Sequence, residues 1–576
     1  MQVNFNNLNQ LWSYVLTETL KRLGLKTAVI CPGSRSTPLT LAFVQQAPDI
    51  EAIPILDERS AAFFALGQGK ATGRPAVLVC TSGTAGANFY PAVIEAKESR
   101  VPLLILTSDR PAEMRECHSG QTIDQIKLYG NYPNWQSELA LPSADIGMLS
   151  YLRQIIIHSW ESCQYPTGGI VHLNVPFRDP LTPIDDGTDL ILDVEDFFAG
   201  IDYTQSPTTY FPLPKIWESC QRGLIIAGVA QPKQPEEYCR AIALLSQSLQ
   251  WPVLAEGLSP VRNYSDLNPY LISTYDIILR NHQLAKELTP EMVIQIGEMP
   301  TSKELRNWLI STKSQRWIID HSGRNLDPLH GKTIHFRTSI ENLIYGEEKQ
   351  FCSRNKITSE YLKNWCNAEN TIRKKIDGNF EELDELIESK AAWLISQTLP
   401  PGTPLFISNS MPVRDVEFFW KPNYLGIKSY FNRGANGIDG TLSTALGIAH
   451  HQQSAVLLTG DLALLHDTNG FLIRNKFIGH LTIILINNNG GGIFEMLPIA
   501  KFDPPFEEFF ATPQDIDFGQ LCATYSVQHE LISSWKELSE KLNILPNTGI
   551  RVLEIRTNRK FDARWRKENL EKFSQI

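Results

Sequence analysis

Twelve short apolar runs, each bounded by Gly, Pro, Ser, Asp or another polar residue and separated by amphipathic stretches, constrain this chain more than any other feature. KTAVICPGS, AVLVCTSG, PLLILTSD and IVHLNVP lie in the first third; LIIAGV, WPVLAE, MVIQIG and RWIIDH occupy roughly 222–320; PLFISNS, AVLLTGD, LTIILINNN and RVLEIRT fill the last third. Such runs, rich in β-branched residues and without polar alternation, read as strands buried on both faces, the pattern of parallel sheets covered by helices. The expected fold class is therefore α/β, with three consecutive domains of mainly parallel sheets flanked by helices. Polar, Pro- and Asp-rich connections, DPLTPIDDGTDLILD and GEEKQFCSRNKITSE, set the boundaries and divide the chain into 1–188, 189–355 and 356–576. Ligands of such sheets bind outside the carboxyl ends of the strands.

Composition narrows the class. A chain of 576 residues, 42% hydrophobic and 20% charged, can build large cores and lies far from the disordered range. No apolar run reaches the ~18 residues of a membrane span, and the N-terminal MQVNFNNLNQLWSYV has neither the basic nor the apolar region of a signal peptide, so a cytoplasmic location without membrane contact is expected. A net charge of −10 and a pI near 5.7 argue against nucleic-acid binding, while leaving room for a local cationic pocket. The nine cysteines (31, 80, 117, 163, 220, 239, 352, 366 and 522) contain no CxxC pair and read mostly as buried thiols.

In the last third, Asp461 follows AVLLTG and Asn488 follows LTIILIN, with 26 residues between them. On neighbouring strands their oxygens would converge on one crevice. A carboxylate, an amide oxygen and a loop carbonyl such as that of Gly490 form a set suited to Mg²⁺. The glycines 490, 491 and 492 let backbone N–H groups approach a diphosphate closely. Read alone, the same residues are equally an Asp capping a helix and an Asn-Gly turn.

The spacing resembles the metal and diphosphate signature of thiamine-diphosphate-dependent enzymes, with Leu462 where that motif usually has Gly. The run IPILDERSAAFFALGQGKATGRPAVLVCTSGTAGANFYPAVIEA resembles, over roughly 45 residues, the pyrimidine-binding domain of the same superfamily. Without the resemblance, Glu58 reads as a carboxylate favoured by a helix N-terminus. The resemblance implies that Glu58 is the catalytic acid that activates the cofactor's aminopyrimidine. It further implies that Thr81, Gly83, Ser410, Ile438, Gly460, Asp461, Leu462, Asn488, Gly490, Gly491 and Ile493 line the cofactor, with Asp461, Asn488 and Gly490 holding Mg²⁺ or Mn²⁺. Ile438 reads almost as readily as a core residue. A homodimer is the minimum unit, Glu58 of one chain facing Asp461 of another, and a tetramer remains open.

Five motifs place cations on loops near this site: CPGSRSTPLT with Arg35, LTSDRPAE with Arg110, TSKEL with Lys303, NSMPVRD with Arg414 and FNRGANGIDG with Arg433. Singly, each reads as a solvated or ion-paired side chain; together they suit substrates with several carboxylates. PGSRSTPLT, TSDRP, NRGANGIDG and NNNGGGIFEMLP, with the GDL variant, resemble in order and spacing the SEPHCHC synthase (MenD) family of menaquinone and phylloquinone biosynthesis. The activity this implies is decarboxylation of 2-oxoglutarate and 1,4-addition of the succinyl unit to isochorismate. Arg414, Arg433 and Ser410 match positions for the succinyl carboxylate; Ser34, Arg35, Arg110, Gln121 and Lys303 match the isochorismate side. Ile493, Phe494 and Leu497 match apolar residues over the thiazolium, and read equally as helix-start packing. Gly120 and Glu304 depart from the family pattern, which has Asn and, in some members, Arg at those places. The alternative is another thiamine-diphosphate-dependent decarboxylase or carboligase, such as an acetolactate synthase.

Overall fold

The apolar runs become strands of three six-stranded sheets in a computed structural model that describes residues 2–202, 211–344 and 359–575. The boundary expected at 355/356 and Cys352 lie outside the described residues. The chain forms two compact units. The first comprises the described residues of Met1–Ser206, Asn432–Gln452 and Leu465–Gly479; the second comprises those of Pro207–Phe431, Gln453–Leu464 and His480–Ile576.

In the first unit the strands lie in the order Glu51–Pro54, Thr27–Ile30, Ala76–Cys80, Leu103–Asp109, Ile170–Pro176, Trp135–Glu138, all parallel. Their central residues Val29, Leu78, Leu104 and Val171 are fully enclosed, each burial contributing about 1.5–3 kcal/mol. The chain runs outward from Thr27–Ile30 to Glu51–Pro54 and then returns to the other side with Ala76–Cys80. The loops after Ile30 and Cys80 therefore flank the topological switch point, where doubly wound sheets bind ligands. Gln2–Phe5 pairs antiparallel with Leu190–Asp193, which ties residues just past 188 to this unit.

This unit also contains a helix from the last third of the sequence. Thr441–Ala449 packs on Glu58–Thr72 through glycines: a Cβ on Gly67 would lie 2.2 Å from the Thr444 carbonyl oxygen, and one on Gly447 would lie 2.1 Å from that of Phe64. Only glycine allows these backbones so close.

The second unit holds two parallel sheets. One has the order Leu271–Ile272, Val253–Ala255, Gly223–Ala227, Met292–Ile296, Gln315–Ile319, Thr333–Phe336; the other Lys428–Tyr430, Pro404–Ile407, Ala455–Gly460, His480–Asn487, Gly549–Arg556, Gln528–Leu531. The first has its switch point between Gly223–Ala227 and Met292–Ile296. An isolated antiparallel bridge, Val229–Glu298, joins the segments that follow these two strands, and a Cβ on Gly228 would stand 1.7 Å from the Glu298 carbonyl oxygen. The second has its switch point between Pro404–Ile407 and Ala455–Gly460, where Ser410 and Asp461 follow the strand ends.

Among the cysteines, 31, 80, 163, 239 and 522 are buried, 220 and 366 half-buried and 117 exposed. No described helix is long and apolar enough to cross a membrane.

Candidate active site

Asp461 opens the helix Asp461–Leu465 directly after its strand, and Asn488 directly follows the adjacent strand His480–Asn487. The Asp461 Oδ2 accepts from Gly490 N at 2.8 Å and Oδ1 from Leu462 N at 2.6 Å. Burial outweighs these hydrogen bonds and pushes the Asp461 carboxyl up to about 6. Asn488 Nδ2 donates to Glu388 Oε1, whereas its Oδ1 is buried and has no partner. A buried amide oxygen without a donor is costly unless something else satisfies it. Carboxylate and amide oxygens at adjacent strand ends fit a hard divalent cation.

The loop after Asn488 needs its glycines. Gly490 has φ +137°, and a Cβ there would meet the Ala511 carbonyl oxygen at 2.4 Å; Asn489 is also left-handed, at φ +58°. A Cβ on Gly491 would meet Phe494 at 2.7 Å, and Phe494 packs edge-on against Phe510. Ile493 and Phe494 are half-buried and Leu497 is 37% exposed, so none is a core side chain in this chain. Gly460 and Leu462 are half-buried beside Asp461.

Ser410 adopts φ +71°, a strained conformation for a residue with a side chain, at the strand-to-helix turn. Arg414 reaches back to donate to the Ser410 carbonyl at 2.6 Å. Arg414 and Lys303 are not on loops as expected. Arg414 lies in the first turns of Met411–Phe419, whose Pro412 presets helical φ, and Lys303 opens Lys303–Thr312, capped by the Ser302 hydroxyl. Lys303 is exposed, with Glu304 in the same turn.

In the first unit, Glu58 is the first residue of its helix and half-buried; Asp57 caps the helix by accepting from Arg59 N and Ser60 N at 2.9 and 3.3 Å. The same turn is held by Asp467, which accepts from Ser60 Oγ at 3.2 Å, Ser443 Oγ at 2.8 Å and Ser443 N at 2.6 Å. Burial pushes the Asp467 carboxyl up to about 6.

Of the expected isochorismate residues, Ser34, Arg35, Arg110 and Gln121 lie on loops beyond the carboxyl ends of this sheet's strands, whereas Lys303 belongs to the second unit. Arg35 N donates to Thr81 Oγ1 at 3.3 Å, and its buried guanidinium donates to the Phe177 carbonyl at 3.1 Å. Burial lowers the Arg35 pKa. Arg110 donates to Ser82 Oγ at 2.6 Å and to the Gln121 carbonyl at 2.7 Å, while Gln121 Nε2 donates to the Ser82 carbonyl at 2.9 Å. Gly83 (φ +86°) donates its N–H to Gln125 Oε1 at 2.9 Å, and a Cβ there would press on Gln121 at 2.9 Å. Ser34 is exposed, and its carbonyl accepts from Thr37. Gly120, beside Gln121, has nothing within 4 Å of a Cβ position, so the departure there is not required by packing.

Arg433 lies on a loop whose Gly434 and Ala435 N–H groups donate to the buried Glu95 carboxylate at 3.0 and 2.7 Å. Ile438 in the same loop is half-buried, not core. Sequence reasoning passed over Glu95, Gln125, Glu388 and Asp467, because each acts only through contacts made by folding; Glu95 lies at the end of the run that resembles the pyrimidine-binding domain, but nothing in that run marks it out.

Comparison with known proteins gives the class. Residues 12–128 match the family description "Thiamine pyrophosphate enzyme, N-terminal TPP binding domain", and residues 208–407 match "Middle domain of thiamine pyrophosphate". A thiamine diphosphate-dependent 4-hydroxybenzoylformate decarboxylase from Rhodococcus jostii shares the fold at TM-score 0.69 and 15% identity, over 95% of this chain and 99% of that one. Fold and family models thus define a thiamine-diphosphate-dependent enzyme. Within that class, the 2-succinyl-5-enolpyruvyl-6-hydroxy-3-cyclohexene-1-carboxylate (SEPHCHC) synthases of Nostoc sp. and Trichormus variabilis are each 71% identical over 100% of this chain and 99% of their own length. That of Gloeothece citriformis is 64% identical over 100% of both. The chain belongs to the SEPHCHC synthase family.

Proposed function

We propose that this chain is a SEPHCHC synthase, a transferase that decarboxylates 2-oxoglutarate and adds the succinyl unit in a 1,4 sense to isochorismate, releasing CO₂, in menaquinone or phylloquinone biosynthesis. The observation that carries the chemistry is the pairing of Asp461 with the partnerless Asn488 oxygen at adjacent strand ends. Thiamine diphosphate supplies, when bound, the carbanion chemistry that decarboxylation of a 2-oxoacid requires. Asp461, Asn488 and the Gly490 carbonyl would hold Mg²⁺ or Mn²⁺ against the diphosphate. Glu58 would hold a proton at the aminopyrimidine ring.

The remaining residues bind and shield. Both substrates are dianions, which suits an arginine-rich site in a chain of net charge −10. Arg414, Arg433 and Ser410 would take the succinyl carboxylate, and Ser34, Arg35, Arg110, Gln121 and Lys303 the carboxylates of isochorismate. Ile493, Phe494 and Leu497 would exclude water, with Thr81, Gly83, Ile438, Gly460, Leu462 and Gly491 bordering the cofactor.

The working unit we propose is at least a homodimer, located in the cytoplasm and built of pyrimidine-binding (1–188), central (189–355) and diphosphate-binding (356–576) domains. Mixing the protein with thiamine diphosphate, Mg²⁺, 2-oxoglutarate and isochorismate tests the proposal: isochorismate absorbance should fall, and no turnover would contradict it.

A further inference from the structure

Four buried charged side chains stand behind Asn488. Glu388, 4% exposed, opens the helix Glu388–Thr398 and accepts from Asn488 Nδ2 with Oε1. Its Oε2 accepts from Arg566 Nη2 at 3.0 Å. Arg566, 1% exposed, grips Asp415 through Nε and Nη2 at 2.8 and 2.9 Å. Asp562 Oδ1 accepts from Glu388 N at 3.1 Å. The group joins three helices, Glu388–Thr398, Met411–Phe419 and Arg559–Ser574, and Asn488 is its only amide.

A side-chain amide has one donor branch and one acceptor branch, and which faces where is decided by its partners. A carboxylate oxygen in front of Asn488 accepts only from Nδ2, and the inverted amide would set two oxygens against each other. Gly492 leaves space for this pairing, since a Cβ there would stand 2.6 Å from Asn488 Nδ2 and 3.5 Å from Glu388 Oε1. Once Nδ2 is committed to Glu388, Oδ1 is left buried and without a partner.

We propose that Glu388, itself held by Arg566, is a positioning residue that orients the Asn488 amide so that its oxygen, not its nitrogen, serves as a divalent-cation ligand. The inference rests on the reading of Asp461 and Asn488 as the metal site. Outer partners that fix a ligand in this way typically change metal affinity about 10–100-fold when altered.

The test is Mn²⁺ binding to the full-length protein with saturating thiamine diphosphate, followed by electron paramagnetic resonance. In Glu388→Gln the single remaining oxygen is claimed by Arg566, and the new amide nitrogen favours the inverted Asn488. Mn²⁺ Kd should rise about 10–100-fold while the fold, by circular dichroism, is kept. Adding Asn488→Asp supplies an oxygen on both branches, so the double variant should recover most of the lost affinity and bind Mn²⁺ more tightly than Asn488→Asp alone, in which two carboxylates face each other. Unchanged affinity in Glu388→Gln, or a double variant no tighter than either single variant, overturns the proposal. The comparison of Asn488→Asp with the double variant decides the matter even if Glu388→Gln does not fold. Asp461→Ala separates the two levels: unchanged Mn²⁺ affinity there refutes the metal site itself, whereas loss there with none in Glu388→Gln refutes only the role of Glu388.

Discussion

The Asp461 carboxylate accepts a hydrogen bond from the Gly490 N–H at 2.8 Å, so the ends of two neighbouring parallel strands, Ala455–Gly460 and His480–Asn487, are joined beside the switch point of their sheet. One oxygen of this carboxylate organises the loop carrying Gly490, and the other caps its own helix at Leu462. The loop that would meet the diphosphate is thus shaped by the residue that would meet the metal. The same economy appears at Glu95, which shapes the Arg433 loop through two backbone N–H groups.

Glu58 is placed at a helix start whose cap, Asp57, is a different residue, so changing Glu58 leaves the cap intact. Glu58→Gln should fold and bind thiamine diphosphate, yet lose most exchange of the cofactor's C2 hydrogen for deuterium, read by NMR. Rapid exchange in that variant would contradict the role assigned to Glu58.

The Gly67–Gly447 crossing should be intolerant of a methyl group. In Gly67→Ala the new Cβ meets backbone, not a side chain that can rotate away, with the Thr444 oxygen at 2.2 Å. Overpacking of this kind costs about 1–3 kcal/mol. A clear fall in thermal midpoint is expected, with the Glu58 helix displaced enough to reduce activity.

His172 sets an acid limit. Burial holds its pKa down at about 4, with Nε2 against Thr107 Oγ1 at 2.8 Å and the ring edge-on to Tyr129. An unfolded histidine titrates near 6.5, so between about 6.5 and 4 the unfolded chain binds a proton that the folded chain refuses. The stability due to neutral His172 is complete above about 6.5 and is lost as pH falls through about 4. Urea unfolding at pH 7 and pH 5 should show the decline, and His172→Gln should show a shallower one.

Much of the fold was legible because its strands are buried on both faces and so carry uninterrupted apolar runs; all twelve runs are strands. The edge strands Trp135–Glu138 and Gln528–Leu531 escaped because half-exposed WQSE and QHEL lack such a run. Asp461 and Asn488 could be paired from sequence because strand ends in a parallel sheet share one side. Glu388 could not, because a lone Glu at a helix start has no signature and its contact with Asn488 spans 100 residues. Nor could the placement of Thr441–Ala449 in the first unit, which depends on the glycines 67 and 447 meeting across distant parts of the chain.

The central claim is that this site takes a five-carbon dicarboxylate donor and passes its succinyl unit to isochorismate. Loss of isochorismate absorbance with 2-oxoglutarate or pyruvate as donor, in the presence of thiamine diphosphate and Mg²⁺, measures it directly. One well-held carboxylate, at about 1.5–3 kcal/mol for hydrogen bonds to a charged group, corresponds to roughly 10–150-fold in kcat/KM. A preference for 2-oxoglutarate of at least that order is predicted; equal turnover with pyruvate, or none with 2-oxoglutarate, would contradict the account.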